Sequence, residues 1–446
     1  MDVAQLLEPV LTGGVKDAHF FNGRILTADD LRTMQAAARQ HDAQIARAMG
    51  EGVAHGLEVT VGGGSSTTQA VLHVEHGLAI NALGERAYLQ SAVDVALVPS
   101  TDDGSTPDGV FTICQPPTSG EFTNLGLYLF TIAPASGLDG HAPMVEVSSE
   151  SVGTKCGSRY EVEGVTFNAV PLTLPTNATP DRSEARTLLA TVEQQLTSAS
   201  GGVNPSLEKL RNLVAHLCFG DDVEIDYARD LLTSTASATI GGWLQELLAQ
   251  RVLSSCEVPL ALIYWSKFGI EFVDMWAVRR RLHARRKPSV TWERLLAPTA
   301  AAEARLEQFQ AHVDELRQGV SDPSTVAAAT YFRYLPSAGI LPLAGGSQSG
   351  FDLLTFFGAT KHRKPAVIEG ARVEQLLRDS LLFPSIDVNS AEHVWLYLVK
   401  ENKQPVDNST SPVPPYYVLF ARGDMPYRGN AHFDVAHWDY ASYALG

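Results

Sequence analysis

No run of eighteen apolar residues occurs in this chain, so no transmembrane helix is expected. The N-terminus, MDVAQLLEPVLTGGVKD, has no basic stretch followed by an apolar one, and no secretory leader is read there. Phosphate-cradling glycine motifs are missing too. Gly62-Gly63-Gly64, Gly201-Gly202 and Gly345-Gly346 are not followed by Lys-Ser/Thr and do not have the GxGxxG form. There is no GxSxG elbow. The thirteen histidines include no HExxH, HxxxH or Cys/His metal spacing. His41 and His55 lie either side of a glycine loop without a third ligand in view, so ordinary polar packing is expected of them. The carboxylate pairs Asp102-Asp103 and Asp221-Asp222 read as loop or helix-start residues.

Cations are the minority charge: 34 Lys and Arg stand against 50 Asp and Glu, a net of -16. A phosphate backbone or an anionic membrane surface wants a basic face, so neither nucleic-acid binding nor membrane insertion is expected. Cysteine is sparse. Cys114, Cys156, Cys218 and Cys256 are far apart with no CxxC pair. A chain this long needs no disulfide staples, so buried thiols in a reducing, cytoplasmic setting are expected. The expected cofactor and metal content is none, and the chain is not read as an enzyme.

What is present starts with Ala18–Val61. An aromatic strand at Phe20-Phe21 is expected, then a turn at Asn22-Gly23 and a helix opening at Thr27, with Asp30 three residues on. Leu31, Met34, Ala38, Ile45 and Met49 recur at helical spacing as one narrow apolar stripe. Gly50 and Gly52 end the helix. Such a stripe faces either the chain's own core or an oligomer seam, and periodicity does not separate the two.

The 446 residues are too many for one core, and 45% hydrophobic with 19% charged content fits a globular chain. The predicted fold class is α+β, multidomain. Residues 1–175 read as the N-terminal helix and an antiparallel β domain. Residues 176–322 read as mainly helical, with a hairpin formed by the apolar run Pro259–Trp265 and the turn at Gly269. Residues 323–446 read as a mixed C-terminal domain, with strands at His393–Val399 and Tyr416–Phe420. Tyr331–Leu343, with two prolines and a glycine, reads as an ordered loop. Thr299–Arg317 is an amphipathic helix with Ala302, Leu306, Phe309, Val313 and Leu316 on one face. Lys403–Pro415 reads as a mobile polar loop, and the tail with Trp438, Tyr440 and Tyr443 as packed down.

Against so acidic a background one basic cluster stands out: Arg279, Arg280 and Arg281, then His283, Arg285, Arg286 and Lys287. It has two readings. The arginines pair with carboxylates of the same chain, such as Glu271, Asp274 or Glu303, or they form a docking face for an acidic partner subunit. Arg422-Gly423-Asp424 reads as a turn. Trp243, Trp265 and Trp276 read as core residues, with a sugar site as the alternative.

Several segments together resemble a family of components of phage-tail-like contractile injection systems. They are FFNGRILTADDL (Phe20–Leu31), GEGVAHGLEV (Gly50–Val59), GLAINALGERAYL (Gly77–Leu89), VPLALIYW (Val258–Trp265), VDMWAVRRRL (Val273–Leu282) and YFRYLPSAGILPL (Tyr331–Leu343). The resemblance implies a structural baseplate, cage or fibre-like subunit in several copies of three-fold or six-fold related symmetry, with other subunits of the same particle as partners. It implies no catalytic residues. The competing expectation is a carbohydrate- or small-ligand-binding module, or an enzyme, with a site assembled from distant residues.

Overall fold

The computed structural model describes residues 11, 14–65, 70–97, 110–111, 126–147, 152–174, 179–196, 203–220, 242–282, 300–344, 349–358, 365–390, 393–403 and 417–429. The fold is α+β and multidomain. Helix α1 spans Ala28–Met49. Six short strands follow: β1 (Gly52–Gly56), β2 (Val59–Val61), β3 (Val71–Val74), β4 (Gly77–Ile80), β5 (Arg86–Leu89) and β6 (Val93–Ala96). They form two antiparallel three-stranded sheets, β1-β4-β5 and β2-β3-β6. Between β1 and β2 the chain turns at Leu57, which is fully buried with a left-handed φ of 60°. No strand forms at Phe20-Phe21, where the chain is irregular and exposed up to the turn at Asn22-Gly23.

The central sheet runs β11-β10-β8-β7, with β9 on the other edge of β8. Its strands are β7 (Val110–Phe111), β8 (Gly126–Val147), β9 (Val152–Leu172), β10 (Val258–Ser266) and β11 (Gly269–Asp274). Strands β8 and β9 form one long antiparallel hairpin, in register from Leu127↔Leu172 to Val147↔Val152. Alternate residues of β8 and β10 serve opposite faces. Leu127, Leu129, Leu262 and Tyr264 point to the helices, whereas Tyr128, Phe130, Ile132, Ile263 and Trp265 point to the small sheets. Burial on both sides is why these two strands read as continuous apolar runs. Strand β10 lies within residues 176–322 yet pairs with β8 of residues 1–175, so those two segments share one sheet.

Helices α2 (Pro180–Gln195), α3 (Pro205–Phe219) and α4 (Trp243–Ala249) cover the helical face. The first two carry side-chain caps, Thr179 and Asn204, each followed by proline, which has no first-turn amide to leave unpaired. Next come α5 (Ala300–Gly319), α6 (Ala328–Tyr331), β12 (Tyr334–Leu335), β13 (Ala338–Pro342), α7 (Leu353–Phe357), β14 (Ala366–Ile368), α8 (Val373–Ser380), β15 (Ile386–Asp387), β16 (Val394–Val399) and β17 (Tyr417–Arg422). The C-terminal sheet is mixed, ordered β13-β17-β16-β14, with β14 parallel to β16. Phe309, Val313 and Leu316 of α5 pack on one face, and Leu376 of α8 on the other.

The loop expected at Tyr331–Leu343 is instead two strands, β12 and β13. Pro336 falls between them, and Pro342 ends β13 on the outer edge of its sheet, where a missing amide donor is tolerated. The thiol expectation also needs correction: Cys256 is disulfide-bonded, and Cys218 is a free, buried thiol. The C-terminal aromatics Trp438, Tyr440 and Tyr443 and the polar loop after Lys403 lie outside the described residues.

A charged cluster joins α3, α5 and the end of β11. Arg211, almost fully buried, donates to Asp274 (2.7 Å) and pairs with Glu315. Gln308 donates to the same Asp274 oxygen at 2.9 Å, and the Ala277 amide caps the other at 3.0 Å. Burial by itself raises the Asp274 pKa, but Arg211 and these donors outweigh it, and the carboxyl is held below its ordinary value.

A candidate interaction surface

Helix α1 opens with a full capping box. The Asp30 amide donates to the Thr27 hydroxyl (3.3 Å), and the Thr27 amide donates back to the Asp30 carboxylate (3.0 Å). The Thr27 backbone amide is also the largest influence lowering the Asp30 pKa, followed by the Thr27 hydroxyl, with a smaller contribution from Arg24. Arg24 closes the turn by pairing with Asp30 and donating to the His19 carbonyl. The entry segment is thereby tied to the first turn of the helix.

The helix packs on the body through its small residues. Ala37 is buried, and Thr33, Ala43 and Ala46 are half-buried. The β4–β5 turn is the seat. Asn81, buried, shapes it by accepting from the Leu83 and Glu85 amides and fixes it by donating to the Cys256 carbonyl (3.2 Å). At the tip, Gly84 takes a φ of +81° and comes so close that a Cβ would lie 2.2 Å from the Ala43 carbonyl oxygen. Arg39 reaches Glu161 of the β8–β9 hairpin at 3.0 Å, and Arg86 reaches Glu163 at 2.8 Å.

The apolar stripe consequently faces away from the molecule. Leu31 is 53% exposed, Met34 40%, Ile45 64% and Met49 55%, and Ala38 is exposed as well. Phe20, Phe21, Ile25 and Leu26 on the entry segment are exposed as well, with Ile25 83% exposed. Scattered exposed apolar residues are ordinary on a soluble protein. Leu31, Met34, Ile45 and Met49 form instead a row at helical spacing, an uncovered apolar face of the kind that interaction sites carry. Of the two sequence readings of this stripe, a face turned to the chain's own core does not match its placement.

Two members of the arginine cluster, Arg279 and Arg280, are engaged inside the chain. Arg279 is buried and donates to the carbonyls of Leu57 (2.8 Å) and Gly56 (2.5 Å), which pins the left-handed turn there. At Gly56 a Cβ would lie 1.9 Å from the His76 carbonyl oxygen, so this corner admits no larger residue. Arg280 donates to the carbonyls of Arg279 (2.9 Å), Cys218 (3.2 Å) and Ala277 (3.2 Å), and burial pulls its pKa down to about 10. Arg281 is exposed and bonded to Glu307 at 2.9 Å. Arg285 and Arg286 lie outside the described residues, as does His283. The backbone of the triplet is engaged too: the Val53 amide donates to Arg280 (2.9 Å), and the Leu282 amide to Val53 (3.0 Å). The Gly50–Val59 and Val273–Leu282 segments are therefore held together, and Gly77–Leu89 seats α1 beside them.

Trp243 and Trp265 are buried in two different cores, one on each face of the central sheet. Trp276 is half-buried between the Arg279 and Arg281 guanidinium groups, each 5.6 Å from its ring centre. Arg422 bonds Asp424 (2.8 Å) in the turn after β17. No cluster of three metal-ligating side chains occurs among the described residues. Two adjoining clefts share Arg305 and Pro336, and each has room for little more than a single water molecule. His216 lines one of them, stacked on Tyr334 with ring centres 3.7 Å apart. No helix among the described residues is long and apolar enough to cross a membrane. No protein-family model matches this chain, and comparison with curated proteins finds no match.

Proposed function

We propose that this chain is a structural subunit of a large contractile injection, phage-tail-like assembly, acting through protein–protein interfaces and not as an enzyme. The observation that carries the proposal is α1, seated by its alanines with its large apolar residues turned outward. A helix so placed leaves apolar area in water that a neighbouring subunit removes on assembly. The particle type is suggested by the resemblance of the Phe20–Leu31, Gly50–Val59 and Val273–Leu282 segments. In this reading the protein assembles in the cytoplasm with other subunits of the same particle and binds neither nucleic acid nor cofactor.

The test is co-expression of the chain with the products of its neighbouring genes, followed by sedimentation of particles. The proposal expects the chain to travel with sheath and tube proteins. A chain that stays at the top of the gradient, or that turns over a substrate by itself, would contradict it.

A further inference from the structure

Resting on that reading, we infer that the outward face of α1 is an oxidation site: hydrogen peroxide converts Met34 and Met49 to sulfoxides, and the modified face no longer serves assembly. The first argument is access. Met34 and Met49 both stand in the open. The other two methionines with described side chains are shielded. Met425 is 3% exposed, and the sulfur of half-buried Met275 accepts from the Val59 amide at 3.1 Å. The second argument is competition for the oxidant. Peroxide attacks a thiolate, whereas a thiol held protonated and buried is inert. Cys256 is disulfide-bonded, and burial pushes the pKa of the free Cys218 up to about 12. Neither offers a thiolate, so the readily oxidised sulfurs among the described residues are the two thioethers on α1.

The chemistry is an oxygen transfer. A sulfur lone pair attacks one oxygen of hydrogen peroxide. The S–O bond forms as the O–O bond breaks, and the departing hydroxide takes the proton of the transferred oxygen and leaves as water. Sulfur is oxidised by two electrons and the peroxide is reduced. Position gives the modification its effect. A helical side chain leans over the preceding turn, so Met34 leans toward Leu31 and Met49 toward Ile45. The two residues stand about 22 Å apart along the helix axis, near opposite ends of the apolar row. A sulfoxide oxygen is a strong acceptor. Water satisfies it while the face is bare, and an apolar neighbour covering the face leaves it unpaired. Oxidation therefore opposes covering of the helix without disturbing its fold. The change is reversible, because methionine sulfoxide is reduced by two enzymes, one for each sulfur epimer.

The test treats the full chain with hydrogen peroxide. Peptide mapping by mass spectrometry is expected to find Met34 and Met49 modified at least about tenfold faster than Met275 and Met425. Retention on a hydrophobic-interaction column is expected to shorten, with an unchanged unfolding midpoint because both side chains are exposed. Entry into particles is expected to be lost, and treatment with both reductases to restore it. A Met34→Leu, Met49→Leu double variant is compared with its own untreated sample, and peroxide is expected to alter neither its retention nor its incorporation. Equal rates at the four methionines overturn the inference. So does an oxidised wild type with unchanged retention or incorporation, or a leucine variant that loses as much as the wild type. An untreated chain that never enters particles refutes the functional reading instead, and mapping with retention then decides the oxidation site by themselves.

Discussion

His216 makes the interior of this protein sensitive to mild acid. Its ring is buried between α3 and the Tyr334 ring. Burial first, and the Arg305 and Arg333 guanidinium groups second, push its pKa down from 6.5 to about 3. The folded protein therefore keeps this imidazole neutral over a range in which the unfolded chain protonates it. Unfolding takes up a proton between pH 6.5 and pH 3, so stability falls as pH drops through that window and is unaffected above it. From pH 7 to pH 5 the loss from this one group is about 2 kcal/mol. His216→Phe keeps a flat ring against Tyr334 and removes the titration. Urea unfolding of both proteins at pH 7 and pH 5 gives the comparison, since the carboxylates common to both cancel. The variant is expected to lose about 2 kcal/mol less on acidification than the wild type. Equal losses would refute the reasoning, because they would mean that His216 takes up a proton without unfolding.

Three further outcomes follow from the same geometry. Gly84→Ala places a methyl group against the Ala43 carbonyl at a left-handed φ, so α1 should lift from its seat, and its amides should exchange hydrogen at least tenfold faster. Arg211→Met leaves the Asp274 carboxylate buried without its cation. It should cost about 3–5 kcal/mol in urea unfolding, with Arg211→Met combined with Asp274→Asn losing less. With four cysteines, Cys256 bonded and Cys218 free, the denatured, unreduced chain should titrate two thiols, and four would exclude the bond.

Much of the local structure was legible in the residues. Thr27 and Asp30 spell the cap of α1, and the Pro259–Trp265 run with Gly269 spells the β10–β11 hairpin. The apolar alternation of β8 and β10 is masked by burial on both faces, yet their length still marks strands. Other features depend on contacts that no local pattern carries. The stripe on α1 is plain in the periodicity, but whether it faces in or out is decided by Gly84, some forty residues away, pressing on the alanine side. Arg279 and Arg280 look like surface charge because they are consecutive. Their partners are backbone carbonyls of Gly56, Leu57 and Cys218, which have no signature of their own. Tyr331–Leu343 misleads because its prolines fall at a gap and at a sheet edge, two places where strands accept them. The bond at Cys256 depends on sulfur proximity, and cysteine spacing alone does not reveal that.

The measurement closest to the central claim is hydroxyl-radical footprinting of Met34, Ile45 and Met49. It would be made on the chain diluted to nanomolar concentration and again on assembled particles. The account predicts ready modification of all three in the dilute chain and strong protection in the particle, with Ala37 and Val53 unchanged. Equal modification in both samples, or protection in the isolated chain, would contradict an outward-facing helix that works by being covered.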